Sequence, residues 1–305
     1  MGLSGRLDHS LMGVIGAADR SFSSHFEDVA ERLPVAVRRP FRELLGLDAP
    51  NSVYWGSAIH GPTSSMLAQA LAATIPCNHD ADNPMHFITL IDSRWQTSAK
   101  RPVINLPALK QRARDCLKTI GFAGIAIAET DLLTCPLSDP DGDQILPHVH
   151  AVGFLDQSRA RYSVEQLAQS RMLDEGERGI RTATAAVLPT ADDVARTLAY
   201  SRKHSMHLKR FVPRQSGDGE ILRTNRTRQL HLLSRLAQVY SHMRQKDLLF
   251  TMGGCSSWLT EACDMLPPAP RRASWFARRE IDAIWNEVHE HYGRRTYYRP
   301  RITTR

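Results

Sequence analysis

Residues 145–155 have the sequence ILPHVHAVGFL, an apolar run that carries two histidines at alternate positions. Such a run, bounded by turn residues, predicts a buried β-strand. Upstream, residues 124–129 have the sequence GIAIAE and predict a second strand, which ends at Glu129. The intervening residues 136–143 are rich in Asp and Pro, which is typical of a loop. We therefore expect the two strands to pair as an antiparallel hairpin.

The segments around this hairpin alternate between strand and helix patterns. They predict a strand over 87–91, a helix over 107–118, a short helix over 162–171, and a strand over 180–188. Gly121 is the residue that stops the helix over 107–118. A further helix begins at Thr190, which can cap it, with Asp193 three residues on. Together these elements predict an α+β fold with a central antiparallel sheet and flanking helices.

Three regions are expected along the chain. Residues 1–76 are predicted to form a helical N-terminal segment, whose periodicity is broken at Pro34, Pro40 and Pro50. Residues 77–210 contain the strands and helices described above. Residues 211–305 are predicted to form a basic helical C-terminal region, in which a helix around 229–242 carries an apolar stripe.

The charge of the chain points to a polyanionic partner. The 305 residues include 39 Lys and Arg against 32 Asp and Glu, a formal net charge of +7. This charge favours nucleic acid as the partner, with an anionic membrane surface second. The longest apolar stretch near the N-terminus, residues 11–18, is far shorter than a membrane span. A basic run, a hydrophobic segment and a small-residue cleavage site do not follow one another as in an export signal. We therefore expect a cytoplasmic protein with no membrane partner.

Two absent patterns narrow the function further. The five cysteines include no Cys-x-x-Cys pair, which argues against a disulfide framework and against a thiolate zinc site. No Gly-x-x-x-x-Gly-Lys-Ser/Thr segment is present, so we expect no built-in ATPase and no ATP as a cofactor.

His148 and His150 are the first candidate metal ligands. Alternate residues of a strand point to the same face, so two imidazoles at these positions can bind one metal ion together. The alternative is a solvent-facing or hydrogen-bonded histidine pair with a structural role.

Glu129 is the candidate third ligand. If the two strands pair as a hairpin, its carboxylate reaches the same sheet face from the neighbouring strand. In the alternative interpretation, Glu129 is a solvated acid at the end of a strand, and Asp131, Asp141 or Asp143 is equally available as a ligand.

Tyr200 and Lys203 form a second candidate group. They are three residues apart on a predicted helix and are therefore neighbours on its surface. A phenol is a weak nucleophile at neutral pH unless a nearby cation or a metal-bound phosphate favours its ionised form. The alternative is a packed aromatic side chain beside a solvated charge.

The order of these segments resembles that of the HUH endonucleases, and more narrowly the rolling-circle replication initiator (Rep) branch of that superfamily. The resemblance covers roughly residues 85–205 and rests on three ordered motifs. These are a Phe-x-Thr-Leu strand (Phe87, Thr89, Leu90), a His-hydrophobe-His strand (His148, Val149, His150), and a Tyr-x-x-Lys helix (Tyr200, Lys203). Where some members carry a second tyrosine, this chain has His204, so the resemblance is to single-tyrosine members, and Tyr162 and Tyr240 are only remote alternatives.

The resemblance implies an HUH-like nuclease domain over 77–210 that nicks and rejoins a DNA strand. Glu129, His148 and His150 would hold a divalent cation, Mg or Mn, and Tyr200 would attack the scissile phosphate. The products would be a free 3′-hydroxyl and a 5′-phosphotyrosine linkage, with Lys203 offsetting negative charge. The implied partner is DNA, as a single strand or hairpin origin, with unwinding supplied by a host helicase. Replication of a plasmid, phage or other mobile replicon is the implied setting, and transposases and relaxases share the chemistry.

Basic residues at the end of the predicted helix and beyond it suit contacts with DNA phosphates. The candidates are Arg202, Lys209, Arg210, Arg223, Arg226 and Arg228. A solvated cationic face is the alternative for these side chains, including those on a helix expected over 223–235. Two rival functions remain open: a DNA-binding protein that recognises an origin or operator without cleaving it, and a small-molecule metalloenzyme that uses the histidine pair.

Overall fold

A computed structural model describes residues 26–47, 58, 61–75, 83–134, 142–176, 181–202, 208–213, 219–224, 230–266, 277–291 and 301–303. The helices are α1 (26–32), α2 (Val35–Leu45), α3 (Gly61–Thr74), α4 (Leu106–Thr119), α5 (Val164–Gln169), α6 (Ala191–Arg202), α7 (Leu230–Ser241), α8 (Gln245–Leu248), α9 (Ser256–Asp264) and α10 (Arg278–His291). Among these described residues, no helix is both long enough and apolar enough to cross a lipid bilayer.

Within the described ranges, ten strands form one large sheet and one small sheet. The strands are β1 (Met85–Ile91), β2 (Thr97–Ser98), β3 (Val103–Asn105), β4 (Phe122–Thr134), β5 (Gln144–Leu155), β6 (Ala183–Leu188), β7 (Leu208–Pro213), β8 (Gly219–Thr224), β9 (Leu249–Met252) and β10 (Arg301–Thr303). The large sheet has the order β6-β1-β5-β4-β7-β8, with β2 also paired to β5 and β9 also paired to β4. The small sheet is a parallel pair of β10 and β3.

The large sheet confirms the predicted α+β architecture. The pairs of β5 with β1, β2 and β4, and of β1 with β6, are all antiparallel. The β4–β5 hairpin predicted from the sequence is its longest pair and extends from the Phe122–Leu155 pair to the Leu133–Gln144 pair. The exception to the antiparallel pattern is β7, which runs parallel to the end of β4.

Two opposed glycines allow β4 and β5 to approach closely. Gly124 and Gly153 are partners in the ladder. A Cβ atom at residue 153 would meet the carbonyl oxygen of Ala123 and lie 2.7 Å from the Cα of Gly124. No larger residue fits here without separating the strands, so these glycines fix the spacing of the hairpin.

Helices cover both faces of the large sheet. Side chains alternate between the two faces of a strand, and both faces here carry apolar residues that the helices bury. On one face, Ile88, Leu90, Val149 and Ala151 pack in a core with helices α1, α2, α4, α7 and α10. The opposite face carries a second core, in which Ile125, Ile127 and Val152 pack with α3, α6 and α9. We call this second side the α3/α6/α9 face.

The N-terminal helices pack in the two cores that cover the large sheet, α1 and α2 in the first and α3 in the second. Phe41 of α2 packs edge-on against Trp285 of α10, with ring centroids 5.5 Å apart. Leu67 and Leu71 of α3 pack in the core of the α3/α6/α9 face, beside Leu198 of α6. The described part of the predicted segment 1–76 contains helices α1, α2 and α3, and these helices pack on the large sheet.

The C-terminal region differs from its predicted helical character. Residues 211–305 contribute β8 and β9 to the large sheet and β10 to the small one. The boundary predicted after residue 210 falls inside β7, and Arg223 lies in β8 rather than on the helix expected over 223–235. These strands form on edges supplied by distant segments, since β9 pairs with β4, β8 pairs with β7 and β10 pairs with β3. A distant sheet edge leaves no local pattern in the sequence.

Candidate metal centre

The register of the β4–β5 hairpin brings the predicted ligands together. Glu129 of β4 is the ladder partner of His148 of β5, and His150 is two residues further along the same strand. The carboxylate oxygen Oε2 of Glu129 lies 3.7 Å from Nε2 of His148 and 3.5 Å from Nε2 of His150. The ligand atoms of these three residues all lie within 4.8 Å of one another, close enough to share one metal ion.

Hydrogen bonds at the Nδ1 atoms aim both imidazoles inward. Nδ1 of His148 lies 3.1 Å from the carbonyl oxygen of Leu146. Because a carbonyl oxygen can only accept, this Nδ1 carries the hydrogen, which leaves Nε2 of a neutral ring with its lone pair. Nδ1 of His150 is 3.0 Å from Oγ1 of Thr89 on β1, which can accept the Nδ1 hydrogen in the same way.

The two Nε2 atoms face each other across a short gap. They are 3.2 Å apart, and the rings meet edge to face with centroids separated by 4.7 Å. Two lone pairs at this distance repel unless a proton or a metal ion lies between them. Metal-binding histidines commonly have their second ring nitrogen held by a carbonyl or another oxygen acceptor, as both rings have here.

Asp131 brings a second carboxylate to the centre. It is two residues beyond Glu129 on β4, and its Oδ2 lies 3.6 Å from Nε2 of His148. The side chains of Asp131 and Glu129 are only 7% and 12% exposed, so two negative charges are held largely away from water. A divalent cation bound between them would compensate this negative charge. The donor set of two imidazoles and carboxylate oxygens fits Mn²⁺ and other first-row divalent ions, and it fits Mg²⁺ through its oxygens.

The sequence left several acids open as the third ligand, and the structure separates them. The ligand atoms of Glu129 lie close to those of His148 and His150, and Asp131 lies beside His148. Asp143 precedes β5, on the far side of Gln144 from the histidines. Asp141 lies outside the described residues.

Tyr200 lies over the same sheet face as the imidazoles. Its ring centroid is 6.0 Å from that of His150, at an interplanar angle of 60°, and its side chain is partly exposed. It is carried by α6, which packs on this face through the buried Val194 and Leu198. The predicted cap of α6 is confirmed, because Thr190 and Asp193 exchange hydrogen bonds between their side chains and backbone N–H groups.

The predicted Phe-x-Thr-Leu strand divides between the two faces of the sheet. The ring of Phe87 lies 4.9 Å from that of His150, centroid to centroid, and Thr89 holds Nδ1 of the same imidazole. Leu90 points to the opposite core. Strand alternation explains this division, and it gives Thr89 a role that its place in a motif did not reveal.

The predicted DNA-contacting residues are only partly within the described chain. Arg202 is the last residue of α6, Lys209 and Arg210 are in β7, and Arg223 is in β8. Lys209 and Arg223 are ladder partners in the pairing of β7 with β8. Lys203, His204, Arg226 and Arg228 lie outside the described residues.

The remote alternatives to Tyr200 lie away from the metal ligands or are inaccessible. Tyr162 follows the far end of β5 and is 40% exposed. Tyr240 of α7 is buried on the opposite side of the sheet, where its hydroxyl bonds to the backbone of Thr130. Burial, with a smaller effect of the Glu129 charge, raises the pKa of Tyr240 well above its usual range, which suits a structural hydroxyl rather than a nucleophile.

Comparisons with models of protein families, with curated proteins and with solved structures found no match to this chain.

Proposed function

We propose that this protein is a metal-dependent endonuclease that nicks one DNA strand and rejoins it through a 5′-phosphotyrosine intermediate. The observation that supports this most strongly is the position of the Tyr200 ring, 6.0 Å from that of His150 and on the sheet face where the Glu129, His148 and His150 ligands converge. The order of the three motifs, which resembles that of the Rep branch of the HUH endonucleases, supports the same reaction.

Glu129, His148 and His150 are the proposed metal ligands. The Nδ1 partners of both imidazoles leave the Nε2 lone pairs available to a cation, and Glu129 adds an oxygen donor. A bound Mg²⁺ or Mn²⁺ would polarise a non-bridging oxygen of the scissile phosphate and stabilise the charge of the transition state.

Tyr200 is the proposed nucleophile. Its phenol oxygen bonds to phosphorus, the bond from phosphorus to the 3′ oxygen breaks, the phenol loses one proton, and the leaving oxygen gains one. The 5′-phosphotyrosine keeps the free energy of the broken bond, so a later 3′-hydroxyl reverses the reaction without ATP. Lys203, three residues further along the sequence, is proposed to offset negative charge on the phosphate or the phenolate.

The proposed substrate is DNA, presented as a single strand or as a hairpin at an origin. The net charge of +7 favours a polyanion, and Lys209 and Arg223 stand opposite each other on the β7–β8 hairpin. We include Arg202 and Arg210 in the proposed phosphate contacts, with Arg226 and Arg228 in the following segment. The proposed setting is initiation of replication of a plasmid, phage or other mobile replicon in the cytoplasm, with a separate helicase. Transposition and conjugative transfer use the same chemistry.

A covalent-adduct experiment tests the proposal. A 5′-labelled and a 3′-labelled library of single-stranded DNA hairpins is incubated with the full chain and Mn²⁺, then denatured and separated by size. We expect an adduct that resists denaturation, is destroyed by protease, and carries the label from the DNA on the 3′ side of the nick.

Tyr200→Phe should abolish the adduct, and Tyr162→Phe should leave it unchanged because Tyr162 lies beyond the far end of β5. DNA binding without an adduct at any Mn²⁺ or Mg²⁺ concentration would refute the nuclease and favour the non-catalytic DNA-binding alternative. Metal-dependent turnover of small molecules without salt-dependent DNA affinity would favour the metalloenzyme.

A further inference from the structure

The outer edge of β4 is interrupted beside the metal ligands. One edge of β4 is paired with β5 along almost its whole length. On the other edge, β9 pairs with residues 124–127 and β7 pairs with residues 132–134. Thr130 lies in the gap between these two strands, where no strand of the described chain supplies partners for its outward N–H and C=O groups.

The hydroxyl of Tyr240 bridges this gap. It accepts a hydrogen bond from the N–H of Thr130 at 2.8 Å and donates one to the C=O of the same residue at 3.3 Å. One side chain from α7 therefore supplies both partners that a neighbouring strand would have supplied. Burial and the Glu129 charge raise the pKa of this phenol, so the hydroxyl keeps the proton that it donates.

The residues on either side of Thr130 are the two acids of the metal centre. Because side chains alternate along a strand, Glu129 and Asp131 both project to the α3/α6/α9 face, while Tyr240 holds the backbone between them from the opposite side. We propose that Tyr240 is a positioning residue that fixes β4 so that both carboxylates reach the histidine pair. This inference rests on the metal-holding part of the proposed function and not on DNA cleavage.

The physical effect expected of Tyr240 is a fixed backbone at Thr130. Without the hydroxyl, the two buried polar groups of Thr130 must find water or shift, and any rotation of this peptide tilts Glu129 and Asp131 together. Residues that orient metal ligands typically change metal affinity by roughly 10- to 100-fold when they are removed.

Tyr240→Phe tests the proposal, because it removes the hydroxyl and keeps the ring. Mn²⁺ binding to the full chain is measured by isothermal titration calorimetry, and the bound ion is observed by electron paramagnetic resonance. We expect the dissociation constant to rise about 10-fold or more, with a changed spectrum because the two carboxylates are no longer held in one geometry.

Ser241→Ala is the matched control. Ser241 is the next residue on α7, and its buried hydroxyl accepts a hydrogen bond from Nε1 of Trp285 at 3.0 Å. The substitution removes a buried hydroxyl and leaves Nε1 of Trp285 without its acceptor. It does not alter the contact between Tyr240 and β4. A loss of thermal stability with unchanged Mn²⁺ affinity is expected, which separates positioning from general destabilisation.

Thr130→Val keeps the test valid if Tyr240→Phe folds poorly. Oγ1 of Thr130 is buried without a hydrogen-bond partner among the described residues, so the isosteric valine should leave Mn²⁺ binding unchanged and raise stability. The double variant Tyr240→Phe/Thr130→Val then provides a more stable protein in which to measure the loss of affinity.

The outcomes separate this inference from the proposed function. Equal Mn²⁺ affinity and equal spectra in wild type and Tyr240→Phe, or in Thr130→Val and the double variant, would overturn the positioning role alone. Tight Mn²⁺ binding without a DNA adduct would overturn the nuclease alone. A wild-type chain that binds no Mn²⁺ would overturn both.

Discussion

Thr89 shows how one hydroxyl on a third strand orients a residue of the candidate metal centre. It stands opposite His150 in the β1–β5 ladder, and its Oγ1 is 3.0 Å from Nδ1 of that imidazole. A hydrogen bond between these atoms fixes the ring plane, and when Oγ1 accepts the Nδ1 hydrogen, Nε2 presents its lone pair to Glu129 and His148. His148 obtains the same restraint from a backbone carbonyl and needs no neighbouring side chain.

Thr89→Val should weaken metal binding. Valine keeps the shape of threonine but cannot accept the Nδ1 hydrogen, so His150 gains both rotational freedom and the alternative tautomer. We expect the Mn²⁺ dissociation constant to rise roughly 10-fold, measured by titration calorimetry, with little change in the thermal midpoint. Thr184→Val is the control, since Thr184 is the ladder partner of Thr89 on β6. Equal Mn²⁺ affinity in wild type and Thr89→Val would refute this role.

At the scale of elements, the β4–β5 hairpin determines which side chains meet. Its register places Glu129 opposite His148 and Ile127 opposite His150. A slip of one residue would turn every side chain of one strand to the other face, and the ligands would separate. The buried apolar residues on both faces resist such a slip, because it would expose them or bury the acids in the opposite core.

Gly153→Ala should destabilise this hairpin strongly. The added methyl would press on the backbone of Ala123 and Gly124, which cannot rotate away as a side chain can. We expect a loss of about 3 kcal/mol or more in the free energy of unfolding, measured by urea denaturation. Ala151→Gly in the same strand should cost only about 1 kcal/mol. Similar losses in the two variants would contradict the close approach inferred for the glycine pair.

At the scale of the molecule, segments far apart in the sequence pack together in the core opposite the α3/α6/α9 face. Helix α7 packs against α10, where Nε1 of the buried Trp285 donates to Ser241. Just after α7, Nε2 of the buried His242 lies 3.4 Å from Oδ1 of Asp282 on α10. Burial lowers the pKa of His242 from 6.5 to about 4, and the nearby Asp282 charge only partly opposes this effect.

Stability should therefore fall on acidification because of His242. Between pH 6.5 and about 4 the unfolded chain takes up a proton at this imidazole and the folded protein does not. The contribution is fully present above pH 6.5 and is lost as the pH falls toward 4. From pH 7 to pH 5 we expect a loss of roughly 2 kcal/mol from this group.

Urea denaturation at both pH values checks the prediction, with His242→Gln as the comparison. Glutamine stays neutral throughout, so the wild type should lose more stability than the variant over this interval. Parallel losses in the two proteins would show that His242 does not titrate in this way. Ionisation of the surface acids is common to both proteins and cancels in the comparison.

The accuracy of the sequence predictions differs between local and distant features. The strand over 87–91, the helix over 107–118 and the capped start of α6 are set by local apolar patterns and capping residues, and the structure has all three. Strands β7 and β8 were not predicted, since the sequence around Arg223 carries no strong alternation. Their pairing depends on distant partners, because β7 pairs with the edge of β4 and β8 pairs with β7. The same limit hid Tyr240, whose partner Thr130 is 110 residues away in the chain.

The sequence by itself determined the α+β class, the β4–β5 hairpin and the choice of His148, His150 and Glu129 as candidate ligands. Alternation along strands and the spacing of turn residues are local, so they can be recognised in one chain. Only the tertiary structure decided that Tyr200 lies over the imidazoles, that Asp131 joins Glu129, and that Tyr240 holds the backbone between them. Those contacts come from packing two cores onto one sheet, and the free energy of that packing depends on the whole chain rather than on neighbouring residues.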